Sequence, residues 1–217
     1  RYYSFQVKEE RPFAHGFSVM VAYNYNHEAT GNYFNAIDQY ADKQTLLNSA
    51  NPRHRVNMAG TWELPFGRGR QFGSTMHPVL NAIVGGWTTS HILMWNSGPF
   101  IRFGQLNVSG DPGKGAPAGS YFNPAVFSIA TPYTPRTNPY QYSGITGPGY
   151  WNLDSTLSKN FNITERFRLE FRIEAYNTPN AFMPNQPDTS VTSSNFGKTT
   201  NQANYGREMQ YTVRLHF

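Results

Sequence analysis

The stretch FRLEFRIEAY, residues 167 to 176, decides the fold. Phe167, Leu169, Phe171, Ile173 and Ala175 occupy every second position, and Arg168, Glu170, Arg172, Glu174 and Tyr176 fill the positions between them. Successive side chains point to opposite sides only along an extended strand, so the pattern gives a β-strand with one apolar and one charged face. The charges alternate in sign along their own face, a ladder able to cross-pair with adjacent strands. Asp154 and Arg214 are the expected partners on either side.

The same period recurs along the chain. Phe17, Val19, Val21, Tyr23 and Tyr25 oppose Ser18, Met20, Ala22, Asn24 and Asn26, and Val56, Met58, Gly60, Trp62 and Leu64 oppose Arg55, Asn57, Ala59, Thr61 and Glu63. REMQYTVRLHF puts Met209, Tyr211, Val213, Leu215 and Phe217 against Gln210, Thr212, Arg214 and His216. With weaker members, the expectation is seven strands, at 2–10, 17–28, 53–64, 86–103, 149–161, 166–178 and 207–217, and an all-β, antiparallel, up-and-down sheet.

Connection lengths separate the architectures. RPFAHG and NITE are tight turns, whereas the connections after the second, fourth and sixth strands run about 24, 45 and 28 residues. Short and long links alternate, although the middle short link, PFGRGRQFGSTMHPVLNAIVGG, is itself sizeable. Outer-membrane barrels have brief periplasmic turns at one rim and long extracellular loops at the other. The long segments are rich in Gly, Pro, Asn, Ser, Thr and Tyr and read as surface loops.

Composition narrows the function classes. Aromatic residues make up 16% and charged residues only 14% of the chain, against about 25% charged in ordinary soluble domains. No run approaches the roughly 18 apolar residues of a membrane helix, but a membrane strand needs only about 10 alternating residues. The mean hydropathy of -0.58 therefore fits a barrel and a soluble protein alike. Cysteine is absent, which removes disulfides and thiolate metal sites. The net charge is +5, but the basic residues are scattered singly, so nucleic acid is not an expected partner.

Enzyme signatures are not found. HEATG at 27–31 lacks the second His of a zinc-protease helix and reads as the start of a loop; GDPGKG at 110–115 lacks P-loop spacing; no GxSxG elbow occurs. Outer-membrane barrels can carry hydrolase sites near the rim, for which His54 or His91 would be the candidates. Two readings stand at this point: a β-sandwich binding glycan or protein through its loops, and a membrane barrel with a polar lumen.

Five blocks add a resemblance. RHRVNMAGTWELPFGRGRQF, GGWTTSHILMWNSGPF, GPGYWNLDSTLSKNFNITERFRLEFRIEAYNTPNAF, SNFGK and REMQYTVRLHF resemble, in order and spacing, the last part of the Oar-like TonB-dependent receptors of bacterial outer membranes. The resemblance covers about residue 53 onward and implies a 22-stranded transporter-type barrel closed by a plug domain. It also implies an upstream carboxypeptidase-regulatory-like domain, a plug segment that contacts the TonB complex, and no cofactor, metal or catalytic residue. RYYSFQ is strand-like from the outset, so the chain reads as the C-terminal barrel portion, 1–217, of something longer, with plug and N-terminal domains outside it.

In that setting the apolar faces meet outer-membrane lipid, and Arg168, Glu170, Arg172, Glu174, Arg214 and Asp154 line the lumen. Trp62, Trp87, Trp95 and Trp151, with Tyr150, would sit in interfacial girdles; as sugar-stacking platforms they would look the same in sequence. Tyr211, Val213, Leu215 and Phe217 resemble the signal by which the barrel-assembly machinery recognises its clients, through strand pairing. Phe171→Arg is expected to cost about 2–4 kcal/mol if Phe171 lies near the bilayer midplane, and Arg172→Leu much less. The alternatives to a TonB-coupled receptor are the sandwich and a pore or adhesin barrel without that coupling.

Overall fold

The computed structural model describes residues 1–33 and 44–217. In chain order its elements are β1 (Tyr2–Ala14), β2 (Phe17–Tyr33), β3 (Gln44–Asn48), β4 (His54–Glu63), α1 (Pro78–Val84), β5 (Trp87–Asn96), β6 (Leu106–Val108), β7 (Phe127–Ile129), β8 (Tyr150–Asn162), β9 (Arg168–Tyr176) and β10 (Glu208–His216). The seven long strands form one antiparallel sheet ordered β1-β2-β4-β5-β8-β9-β10, so chain neighbours are spatial neighbours. Among the described residues the sheet is not closed, and β1 and β10 are its edges.

The seven expected strands are joined by three short ones. β2 runs on past residue 28 to Tyr33 because β3 pairs with its far half, Ala29 opposite Asn48 through Tyr33 opposite Gln44. β6 and β7 form a small hairpin inside the long connection between β5 and β8. β5 stops at Asn96, not 103: Ser97 turns its hydroxyl to the His54 amide, and Gly98 presses against the carbonyl of Gly147. A Cβ on Gly98 would overlap that carbonyl, so the chain can leave the sheet there only as glycine.

All short turns lie at one end of the sheet. Between β1 and β2, His15 and Gly16 both have positive φ, 54° and 85°, as a two-residue hairpin turn requires. Between β8 and β9, Thr164 Oγ1 accepts from the amides of Arg166 and Phe167. The connection between β4 and β5 folds into an elbow around α1, which sequence periodicity did not reveal because the helix is only seven residues long.

Among the described residues, the one cluster of buried hydrophobic side chains is not on the sheet. Ile101, Phe103, Leu106, Phe122, Phe127 and Ile145, all from the β5–β8 connection, pack with Phe196 from the β9–β10 connection. Phe103 meets Phe122 edge-on at 4.9 Å and stacks on Phe127 at 5.0 Å. Segments that read as surface loops are therefore a folded cap with its own core, held by aromatic packing.

Candidate functional site

Register fixes what each face carries. Val21, Met58, Leu93 and Leu153 lie in one row across β2, β4, β5 and β8, and Leu157, Ile173 and Tyr211 lie in another across β8, β9 and β10. The apolar sets of the long strands thus merge into one apolar face. Its charged exceptions include Glu9 and Arg11 on β1, with the Arg11 guanidinium 3.8 Å over the Phe17 ring, and Lys159 on β8.

The four tryptophans fall on this face at two levels. Trp62 and Trp87 stand near the short-turn end, while Trp95 and Trp151 pair directly near the loop end. Trp87 and Trp95 are separated by eight residues of β5, about 26 Å along a strand and about 20 Å along the normal for a strand tilt near 40°. Tyr150 does not join them: it pairs with Asn96 on the other face, because adjacent residues of a strand point opposite ways. Phe171 is not at mid-wall either. Its ring meets Trp87 edge-on at 6.2 Å, close to the short-turn girdle.

The opposite face carries the polar groups. Glu170 accepts from Arg172 at 2.6 Å and from His216 at 3.3 Å, and Arg214 approaches it at 3.9 Å. Arg172 also lies 3.8 Å from Glu174. Arg214 is a partner of the ladder, as its charge and register allow, and His216 is a further one. Asp154 is not, because its carboxylate accepts from Asn152 Nδ2 and the Asn177 amide and so holds the start of the β9–β10 connection. Arg168 lies on the same face opposite His216. Ile92 and Met94 also stand here, so this face is polar but not uniformly so.

At the loop end the three long connections are tied together. Asn48, closing β3, and Gln141 exchange hydrogen bonds of 2.8 and 2.9 Å, and the Tyr121 amide donates to Gly197 O at 2.9 Å. Between β3 and the β5–β8 connection lies a cleft of about 460 Å³ whose walls include Arg53, His54, Phe100, Tyr140, Gln141 and Tyr142. The Arg53 guanidinium lies 4.5 Å from the Phe100 centroid and donates to Asn48 Oδ1 at 3.1 Å. Arg136 stacks over Tyr140 at 3.6 Å. Burial pushes the Tyr142 phenol upward from its ordinary value. Sequence reading missed these residues; aromatic residues are no denser over 97–149 than in the chain as a whole, so composition gave no separate signal.

The candidate motifs resolve without catalytic geometry. His27 to Gly31, expected as a loop start, is part of β2, where Glu28 pairs with Tyr2. GDPGKG is a turn: Asp111 Oδ1 accepts from the Gly113 amide at 2.9 Å. His54 Nδ1 meets the Tyr23 hydroxyl at 2.9 Å. His91 bonds Ser155 Oγ at 2.9 Å and Thr89 Oγ1 at 3.0 Å, midway along β5 on the apolar face, with a hydroxyl where a catalytic triad would place a carboxylate. Among the described residues no cluster of three or more metal-ligating side chains occurs.

A family model for an outer membrane beta barrel domain matches residues 1–210. No curated protein and no solved structure matches the chain. The family match sets aside the soluble sandwich and selects a membrane barrel.

Proposed function

The chain belongs to the outer membrane beta barrel domain family and is a protein of the bacterial outer membrane, and from that premise we propose that it is wall and mouth of a TonB-dependent, Oar-like transporter. The apolar face meets lipid, with Trp62 and Trp87 in one girdle and Trp95 and Trp151 in the other. The polar face, with the Glu170 network, lines the lumen. β1 and β10 offer open edges to the rest of the barrel, and the apolar row ending in Tyr211, Val213, Leu215 and Phe217 suits recognition by the barrel-assembly machinery. No residue is assigned a catalytic role.

The observation that carries this reading is the folded cap. A pore needs no aromatic core in its loops, whereas a receptor needs a preformed surface at the loop end, and the cleft beside Arg53, Phe100 and Tyr140 supplies one. Arg53 Nε and the Tyr142 hydroxyl are buried there without hydrogen-bond partners among the described residues, which favours an oxygen-bearing solute.

Two measurements test the proposal. The coding sequence upstream of Arg1 is expected to encode a plug domain and a TonB-contacting segment. In cells, the full-length protein is expected to cross-link to TonB, and to stop doing so when that segment is deleted. A complete gene without a plug, or unchanged cross-linking after the deletion, defeats TonB coupling and leaves a passive barrel.

A further inference from the structure

The elbow between β4 and β5 holds a helix whose polarity is reversed. At 100° per residue, Val79, Leu80, Ile83 and Val84 of α1 share one side, and Asn81 and Ala82 lie off it. In a helix packed on a protein the apolar side would be covered. Here Val79 is 65% and Ile83 64% exposed, while Asn81 is turned inward. Its Oδ1 accepts from the Arg68 amide at 2.7 Å and lies against Gly67 and Gly85, where a Cβ on either glycine would collide with it.

The helix is fastened to the sheet from the apolar side. Lys159 points out of that face, in register with Trp87 and Phe171. Its Nζ donates to the carbonyls of Ala82 at 2.6 Å, Ile83 at 3.3 Å and Gly85. All three ammonium protons are thereby used on the last turn of α1, where the helix dipole also favours a cation. The Trp87 indole donates to Ile83 O at 2.9 Å as well. These contacts explain a lysine on an apolar wall and place α1 outside the wall, beside the Trp87 girdle.

The exposed side of α1 is therefore continuous with the apolar wall. The connection from Leu64 to Gly86 contains Arg68, Arg70 and His77 and no acidic residue. Arg70 is paired with Glu63 at 2.8 Å, and Arg68 is exposed. Phe66 and Phe72 lie exposed in the same connection with ring centroids 5.7 Å apart. An apolar helix side next to an exposed stretch carrying Arg68 and no acidic residue matches the acyl-to-headgroup boundary of a phospholipid leaflet.

We propose that α1 is a lipid-inserted foot: Val79, Leu80 and Ile83 enter the periplasmic leaflet beside the barrel, with Arg68 of the elbow at the level of the lipid phosphates. The proposal rests on the apolar face meeting lipid and on the short turns being periplasmic, and is independent of TonB coupling. It makes the elbow an anchor that fixes the depth of β4 and β5, and it explains why a short-side connection is so long.

The test uses the full-length protein, freed of any cysteine outside this cysteine-free segment, in vesicles of phosphatidylethanolamine and phosphatidylglycerol. An environment-sensitive fluorophore is attached at Ile83→Cys, with Met58→Cys as a mid-wall control and Tyr133→Cys as an aqueous control, since Tyr133 is 99% exposed at the loop end. Heat-modifiable migration establishes that each variant is folded, and Val79→Cys replaces Ile83→Cys if that one is not. The foot requires loss of signal at Ile83 with phospholipid brominated near the glycerol, a weaker loss with phospholipid brominated deep in its chains, and little loss with aqueous iodide. Met58 should show the reverse lipid order. Iodide quenching equal to that at Tyr133 overturns the proposal, and so does shielding from both quenchers, which would put protein over α1.

Discussion

Met58→Arg tests the wall assignment most directly. Met58 sits between Val21 and Leu93 on the apolar face and is 41% exposed among them. It lies four residues from Trp62 on the same strand, about 13 Å along the chain, or about 10 Å in depth at a tilt near 40°. That is the middle of the wall. An arginine at the midplane of a barrel costs about 2–4 kcal/mol, which lowers the folding equilibrium constant by about 30- to 1000-fold. Asn57→Arg, one residue away at the same depth, points to the polar face opposite Ala22 and Met94 and should cost under about 0.5 kcal/mol, as for a substitution away from buried features. The assay is guanidinium unfolding of the full-length protein folded into phosphatidylcholine vesicles, with heat-modifiable migration as a second readout. Equal losses for the two variants, or a loss below about 1 kcal/mol for Met58→Arg, would refute the facing of the sheet.

Other predictions concern single contacts. Phe171→Arg, beside Trp87 near the girdle, should cost only about 0–1 kcal/mol from bilayer depth in the same unfolding assay, well below Met58→Arg. Lys159→Ala removes the donor to three carbonyls of α1 and should destabilise by about 1–3 kcal/mol, with faster hydrogen exchange confined to residues 78–86. Gly98→Ala forces a methyl group into the Gly147 carbonyl and should cost about 1–3 kcal/mol as an overpacked site, read as proteolytic nicking of the β5–β8 connection with the sheet intact. The Asp188 carboxyl is held below its ordinary value by hydrogen bonds from the Ser193 hydroxyl and the Ser190 amide. Its contribution to loop order is present above the unfolded carboxyl value of about 3.9 and is lost as pH falls through the lower folded value. Protection of the Ser190 amide should therefore fall with acid in the native protein and be insensitive to acid over that range in Asp188→Asn.

Much of the sheet was legible because a strand's periodicity is local. Each residue of FRLEFRIEAY declares its side through its neighbours two positions away. Arg214 could be named as a partner of the ladder for the same reason, since charge and face are both local properties. Asp154 was misjudged because its face was right but its partners, Asn152 and the Asn177 amide, depend on where the β9–β10 connection starts. Tyr150 was misjudged by neglecting the alternation that places it opposite Trp151.

What escaped was mostly non-local. β3 exists because β2 outruns β4 and leaves an edge on that side for it, and its root is held by Gln141, ninety-three positions from Asn48. The cap core joins Phe103, Phe122 and Phe127 to Phe196 across two connections, and no pattern along either one announces the pairing. α1 offers too few turns for a helical period to stand out, and its apolar side points the wrong way for a helix covered by its own protein.

The sequence by itself determined the strands, their two faces and the alternation of short and long connections, because the constraint of an extended chain acts over two residues and the hydrophobic contrast is written into each position. The tertiary structure alone decided that the long connections share an aromatic core, that Lys159 on the apolar wall spends its charge on the end of α1, and that this helix faces outward. Those outcomes depend on which side chains meet across tens of residues, where the free energy of desolvation and packing, not local geometry, selects the partner.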